Sequence, residues 1–156
     1  MTSKPPNASA GRIGGVDYGT VRIGLAVSDP DRTMASPLEI YVRRSSALDA
    51  KHFQQLARDE RIVLWVVGLP VHLDGRESQK SREARNFGKW LGEITELPVE
   101  FFDERFSSAQ ADEILQAAEL TRKRRKRRLD MLAAQIMLTA YLESQSKGEP
   151  PLAIDD

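Results

Sequence analysis

The 156-residue chain has no cysteine, and this absence excludes several classes of protein. Without thiols there is no disulfide framework, no thiolate zinc site and no cysteine nucleophile. This fits a reducing compartment, and we expect a cytoplasmic protein. The longest uninterrupted apolar stretch, Ile62 to Val67, is far shorter than the roughly 20 residues that a membrane-spanning helix needs. The sequence therefore predicts a protein without a membrane span.

Two motifs of common enzyme classes are also missing. The sequence contains neither the P-loop pattern G-x-x-x-x-G-K-[ST] nor the G-x-S-x-G turn of α/β hydrolases. The first absence excludes a P-loop nucleoside triphosphatase, and the second argues against a Ser-His-Asp hydrolase. Any chemistry must therefore come from other residue types.

Charge is balanced over the whole chain but not along it, since 23 Lys and Arg residues face 23 Asp and Glu residues. Seven consecutive basic residues leave 16 basic against 23 acidic residues elsewhere, so the rest of the chain is clearly acidic. Such a basic segment predicts contacts to the phosphates of a polyanion, and a solvated surface run is the alternative. The segment consists of Arg122, Lys123, Arg124, Arg125, Lys126, Arg127 and Arg128.

The order of the predicted elements indicates one α/β domain. A glycine-rich hairpin comes first and is followed by alternating strands and helices, which is typical of a mixed sheet that is antiparallel at its start and parallel afterwards. We expect the domain to span residues 12–146, with a disordered leader at 1–11 and a disordered tail at 147–156. Strands are predicted at 13–18, 21–28, 38–42, 62–67 and 99–102, and helices at 46–60 with Ser46 as its cap, at 78–94, from Ser107 or Ser108, and at 129–141.

Four carboxylates lie in or beside apolar segments, where burial of a charge would be unfavourable. Asp17 interrupts an apolar, glycine-rich strand, where an unpaired charge is costly. If this strand runs parallel to the one that ends in Asp103 and Glu104, both acidic ends meet at one edge of the sheet. Asp130 lies beside the apolar stripe of the final helix. The joint placement predicts a common ligand that neutralises these groups.

A hard divalent cation is the natural ligand for such a set, because Mg²⁺ prefers oxygen donors and binds well to carboxylates together with substrate phosphate. Two such ions about 3.5 to 4 Å apart can activate a water and stabilise the leaving oxygen in phosphodiester cleavage. Each acid also has a local alternative. Asp17 could belong to a turn, and Asp103 and Glu104 could interact with the dipole at the start of a helix. Asp130 could form an ion pair with the neighbouring arginines.

Four segments in order carry a resemblance to a known family: GGVDYGTVRIGLAVSD, VVGLPVHLDGRES, FFDERFSSAQAD, and the basic run that leads into LDMLAAQIMLTAYLE. Together they resemble the YqgF family of Holliday-junction-resolvase-like proteins, whose members are also described as pre-16S ribosomal RNA nucleases. The resemblance extends from about Arg12 to Glu143. It implies a ribonuclease H-like fold, with a mixed five-stranded sheet flanked by helices.

The same resemblance implies a metal-dependent nuclease that acts on structured RNA or branched DNA. The implied activity is 5′-end processing of pre-16S ribosomal RNA, Holliday-junction resolution, or both, with ribosomal precursor particles as a further partner. The family's site positions fall on Asp17, Glu104 and Asp130, which would hold Mg²⁺ or Mn²⁺, and Asp103 is the alternative to Glu104. Arg105 and the 122–128 segment would contact the nucleic-acid backbone. A monomer and a homodimer are both compatible with the sequence.

Two other functions remain open at this stage. A non-catalytic RNA-binding factor of ribosome assembly could use the same fold, because a fold does not fix activity. An actin-like nucleotide-binding protein could use Asp17, Gly19 and Thr20 around phosphate. We expect such a protein to need a second domain, for which 156 residues leave no room.

Overall fold

The computed structural model describes residues 11–70, 78–103 and 122–148, with side chains from 132 to 146 in the last segment. The described elements are β1 Arg12–Asp17, β2 Arg22–Ser28, β3 Ala35–Val42, α1 Ser46–Asp59, β4 Ile62–Leu69, α2 Gln79–Thr95, β5 Val99–Asp103 and α3 Arg122–Gly148. The predicted helix from Ser107 or Ser108 lies outside the described residues, as do residues 1–10 and 149–156. No helix in the described ranges is both long and apolar enough to cross a membrane.

Five strands form one mixed sheet in the order β3-β2-β1-β4-β5. β1 pairs antiparallel with β2, and β2 pairs antiparallel with β3. β4 pairs parallel with β1 on one side and with β5 on the other. The predicted mixed sheet is confirmed, and the ends of β1 and β5 lie at the same edge.

Helices cover both faces of the sheet. On one face, α1 and α2 enclose the larger core, in which Phe53, Trp65 and Leu91 are fully buried. On the other face, Ala134, Leu138 and further residues of α3 pack against β1, β2 and β4. β4 is an interior strand between these layers, and its residues Trp65, Val66 and Val67 have no exposed surface. The continuous apolar run correctly predicted a strand covered on both faces.

Several boundaries differ from the sequence prediction, most of all in α3, which extends from Arg122 to Gly148 rather than over 129–141 and so includes the first two residues of the predicted disordered tail. Two other differences have local reasons. The N-cap of α1 is Ser45 rather than Ser46, because Ser45 is extended and its hydroxyl accepts a hydrogen bond from the Leu48 amide. β3 begins at Ala35, three residues earlier than expected, and includes Pro37. β3 is an edge strand with a register shift opposite Leu25 and Ala26, where the missing N–H of proline is tolerated.

Candidate active site

Asp17 is the last residue of β1 and lies on the α3 face of the sheet. Gly15, two residues earlier on the same face, lies against Leu138 of α3, whereas Val16 points into the core beneath α1 and α2. Asp17 is level with Gly24 of β2, and Gly24 is level with Ile40 of β3. The three residues form a row across the sheet at its edge.

An open cleft of about 630 Å³ lies over this row. It extends from the three strands to the first turn of α2 and contains two carboxylates and two cationic side chains. It can therefore accommodate a cation and a phosphate side by side. Its lining consists of Asp17, Tyr18, Gly19, Thr20, Val21, Arg22, Gly24, Ile40, Gln79, Lys80 and Glu83.

The loop after Asp17 is held in place by Arg43. The Arg43 amide donates to the carbonyl of Val21 at 2.9 Å, and its Nη1 donates to the Tyr18 hydroxyl at 3.1 Å and the Gly19 carbonyl at 3.3 Å. The turn also requires glycine, since a Cβ at Gly19 would lie 2.2 Å from the carbonyl oxygen of Arg22. The backbone next to Asp17 is therefore fixed by contacts from β2 and from the β3–α1 connection.

The start of α2 is tied to the end of β4. The Ser78 hydroxyl donates to the carbonyl of Pro70 at 3.1 Å and accepts from the Ser81 amide at 3.0 Å, which caps the helix. This arrangement brings Lys80 and Glu83 to the cleft.

The buried carboxylate of Asp49 stabilises the segment that holds the loop after Asp17. Asp49 of α1 accepts hydrogen bonds from the Tyr41 hydroxyl and the Arg44 amide, and its Oδ2 is 4.0 Å from Nε of Arg43. Burial, together with the hydrogen bond to Asp49, raises the pKa of Tyr41 above its usual value. Tyr41 therefore stays protonated, and the connection from β3 to α1 has a fixed geometry.

The structure places Asp103 at the same edge as Asp17, as predicted, but not on the same face. Val67 of β4 pairs with both Val16 and Phe101, so β1 and β5 end at neighbouring levels. Phe101 packs into the core beneath α1 and α2, whereas Phe102 packs against the α3 layer. Strand alternation places Asp103 with Phe101, on the face opposite Asp17.

The other predicted site residues are described in part or not at all. Glu104 and Arg105 lie outside the described residues. Asp130 and the basic segment 122–128 belong to α3, but their side chains are not among those described. Within the described side chains no group of three His, Cys, Asp or Glu residues could hold a metal ion.

Sequence reasoning missed three residues of the site. Arg22 and Lys80 line the cleft with Asp17, and Arg43 fixes the loop. Arg22 and Arg43 lie near strand ends, and no sequence motif identifies them as site residues. Lys80 reaches the cleft only because the Ser78 cap joins α2 to the end of β4. The sequence predicted where α2 begins, but not this contact.

Comparisons with known proteins agree with this fold. A family model described as "RuvX: Holliday junction resolvase" matches residues 11–144. A "Putative pre-16S rRNA nuclease" of Rhodopirellula baltica is 50% identical over 142 residues, which cover 90% of this chain and 82% of the relative. A protein of the same name from Koribacter versatilis is 39% identical over 151 residues, which cover 96% of this chain and 99% of that relative.

Among solved structures, Thermus thermophilus RuvC matches with a TM-score of 0.56 at 12% identity, covering 87% of this chain and 96% of RuvC. The same protein in complex with a Holliday junction matches with a TM-score of 0.51 at 14% identity, with the same coverage. At these identities the likeness concerns the fold alone. It confirms the expected ribonuclease H-like fold.

Proposed function

The chain belongs to the RuvX family of Holliday junction resolvases, and from this membership and the cleft at Asp17 we propose that it is a metal-dependent nuclease that hydrolyses phosphodiester bonds in structured nucleic acid. Membership confirms the resemblance carried by the four sequence motifs. The observation that carries the proposal is the position of Asp17, at the carboxyl end of a central parallel strand and in an open cleft beside Arg22 and Lys80.

We propose Asp17, Glu104 and Asp130 as the ligands of Mg²⁺ or Mn²⁺. Carboxylate oxygens are the donors that these ions prefer, and the cleft offers Asp17 together with space for a phosphate. When bound, the metal supplies an activated water and polarises the phosphoryl oxygens. We prefer Glu104 to Asp103 because Asp103 belongs to the face opposite Asp17.

The third ligand, Asp130, is supported by helical periodicity. Leu138 of α3 packs over Gly15, two residues before Asp17 on the same face of the sheet. Asp130 comes two turns before Leu138, and Ala134, one turn before it, is fully buried against the sheet. This spacing supports Asp130 as the third ligand.

The chain's own cations have separate roles. Arg22 and Lys80 bind the phosphate within the cleft and orient it toward Asp17. Arg105 and the segment 122–128 contact the backbone farther along the substrate. None of these contacts reads a base, so the substrate is selected by shape and by where its backbone is accessible.

As substrate we propose precursor 16S ribosomal RNA, cleaved at its 5′ end during ribosome biogenesis in the cytoplasm. The relatives up to 50% identical carry the name of that activity, whereas the likeness to RuvC concerns the fold alone. Four-way DNA junctions are the second substrate to test, because the family model is described by that activity.

Asp17→Asn provides the direct test, because it removes a charge while keeping the size of the side chain. We expect cleavage of precursor RNA to fall by about a hundredfold or more, the scale of loss for a group that stabilises developing charge. Four-way DNA junctions are tested in parallel, with Mg²⁺, Mn²⁺ or chelator, and thermal melting checks that the variant folds.

An unchanged rate in Asp17→Asn would contradict the proposal. Tight RNA binding by the wild type with no metal-stimulated cleavage would instead indicate a non-catalytic assembly factor. A thermal shift with ATP, but none with nucleic acid, would indicate the nucleotide-binding alternative.

A further inference from the structure

A second cavity of about 400 Å³ adjoins the cleft on the other side of the β1–β2 loop. Three segments enclose it: the β1–β2 loop, the β3–α1 connection with the first turn of α1, and the middle of α2. Its volume is within the range of small-molecule sites in proteins. Nothing in the metal chemistry proposed above uses it.

The cavity shares part of its lining with the cleft at Asp17. Tyr18, Thr20 and Glu83 line both spaces. Tyr18 is also the residue directly after Asp17, so a group in the second cavity lies close to a phosphate held at Asp17. A base next to a phosphate held in the cleft would therefore lie beside this cavity.

Aromatic rings line part of the cavity and are held rigidly. Trp90 is partly exposed, and its ring packs against Phe87 at 5.5 Å and edge-on to Phe53 at 6.3 Å between centroids. The Tyr18 ring lies 5.4 Å from Phe87, with the guanidinium of Arg43 5.3 Å from its centroid. Rings fixed in this way favour stacking by a flat ligand, because little side-chain entropy remains to be lost.

The charges of the cavity favour a neutral ring over a phosphate. The lining of the cavity contains two carboxylates, those of Asp49 and Glu83, and one guanidinium, that of Arg43. Arg43 already directs Nη1 to the Tyr18 hydroxyl and to the carbonyls of Gly19 and Thr20. An anion would therefore meet a net negative lining, whereas the N–H donors of a nucleobase would meet carboxylate acceptors.

We propose that this cavity binds an unpaired nucleobase of the substrate strand, next to the phosphate held at Asp17, with the base stacked on Trp90. The proposal rests on the proposed nuclease function and adds to it a requirement for a single-stranded nucleotide beside the cleavage position. A base held in a duplex cannot enter, because it is stacked and paired.

The two tryptophans of the chain make the binding measurable. Trp65 is fully buried and donates its Nε1 hydrogen bond to Thr95, so a ligand in the cavity leaves its fluorescence unchanged. Trp90 lines the cavity. Titrating the full chain, in chelator, with a short single-stranded RNA should quench its fluorescence saturably, and a duplex of equal length should not.

Two variants of Trp90 are compared in the same titration. Trp90→Phe retains a stacking ring but leaves only Trp65 to report, so quenching should disappear while the affinity for labelled RNA, measured by anisotropy, stays within about threefold of the wild type. Trp90→Ala should weaken that affinity about tenfold, within the range expected when one base no longer stacks on an aromatic ring. Thermal melting identifies any unfolded variant, and Trp90→Phe keeps the test valid if Trp90→Ala does not fold.

Single-stranded DNA in place of RNA tests whether the ribose contributes, and an RNA that carries one abasic position tests whether the base is required. Equal quenching by DNA and RNA supports recognition of the base alone, and quenching by RNA alone supports a base held together with its ribose. Equal quenching by duplex and single strand, or none by either, would overturn the proposal. These results are independent of Asp17→Asn, so a cavity that binds no base leaves the cleavage test intact, and the reverse also holds.

Discussion

At the scale of the residue, the alternation of side chains along β5 supports Glu104 rather than Asp103 as the proposed partner of Asp17. Asp103 and Glu104 are adjacent in sequence, and propensity alone does not separate them. The packing of Phe101 beneath α1 and α2, and of Phe102 against the α3 layer, assigns Asp103 to the face away from Asp17. The sequence could predict Asp17 as a strand-end acid, but not this choice, because the choice depends on which face each helix covers.

Glu104→Gln and Asp103→Asn form a matched pair that tests this assignment. Both substitutions remove one negative charge and keep the side-chain size. We expect Glu104→Gln to reduce cleavage about a hundredfold, because it removes a charge at the metal, and Asp103→Asn to retain most of the rate. Single-turnover cleavage with saturating metal measures both. The reverse order of effects would identify Asp103 as the ligand.

A second residue-scale prediction concerns Tyr141 of α3, whose hydroxyl donates to Glu100 of β5 at 2.7 Å. Burial, with the nearby Glu100 carboxylate, raises the pKa of Tyr141 well above its usual value. Because the folded-state pKa is raised, this contribution to stability is complete below about pH 10 and is lost as pH rises further.

Urea unfolding between about pH 8 and about pH 11 measures this effect, since the range spans the usual pKa of tyrosine. Tyr141→Phe should be less stable by about 1 kcal/mol at the lower pH, since it lacks one hydrogen bond, and should lose less stability than the wild type as pH rises. Parallel stability curves for the two proteins would show that the tyrosine does not titrate in this way. Tyr41 is present in both proteins and contributes equally to their alkaline loss.

At the scale of the element, the site depends on the close approach of α3 to β1. The hydrophobic periodicity of residues 129–141 correctly predicted a helix, and one side of it packs on the sheet, but Leu132, Ile136 and Ala140 on its other sides are buried as well. The periodicity could not indicate the strand on which the helix packs, because the partner is distant in sequence. The contact is made at Gly15, where a Cβ would lie 3.1 Å from Cβ of the fully buried Leu138. Glycine at this position allows the helix to approach.

Gly15→Ala should therefore destabilise the fold by about 1 to 3 kcal/mol, the usual result of overpacking a core. The nearest atom is a Cβ fixed to the helix backbone, so α3 itself must move. Urea unfolding measures the loss. In a Leu138→Ala background the same substitution should cost less, because Cγ and Cδ2 of Leu138 also lie within 3.4 Å and are absent there. An equal loss of stability in both backgrounds would show that the strain does not arise from contact with Leu138.

At the scale of the whole molecule, charge is separated between the basic start of α3 and an acidic remainder. The balanced composition of 23 basic and 23 acidic residues hides this separation, which is visible only along the sequence. A polyanionic substrate would be drawn to one region and repelled by the rest, which orients it as it approaches. The sequence predicted a helix only after this segment, whereas α3 begins with it, at Arg122.

Salt dependence of binding tests the role of the basic segment. Replacing Arg124 and Arg125 with Gln should flatten the slope of log affinity against log salt by about 0.9 on duplex, and by about 0.7 on single strands, for each phosphate that the variant no longer neutralises. The double variant of Lys51 and Arg58, also changed to Gln, is the matched control, because both residues are exposed on α1. Equal slopes in the two variants would make the segment an ordinary solvated surface.

The convergence of three acids on one divalent ion is tested most directly by a crystal structure of the wild-type chain grown with Mn²⁺ and recorded for anomalous scattering. The account predicts a manganese peak bound by carboxylate oxygens of Asp17, Glu104 and Asp130 together. Carboxylates of these residues well apart, or a peak bound to other residues, would contradict it.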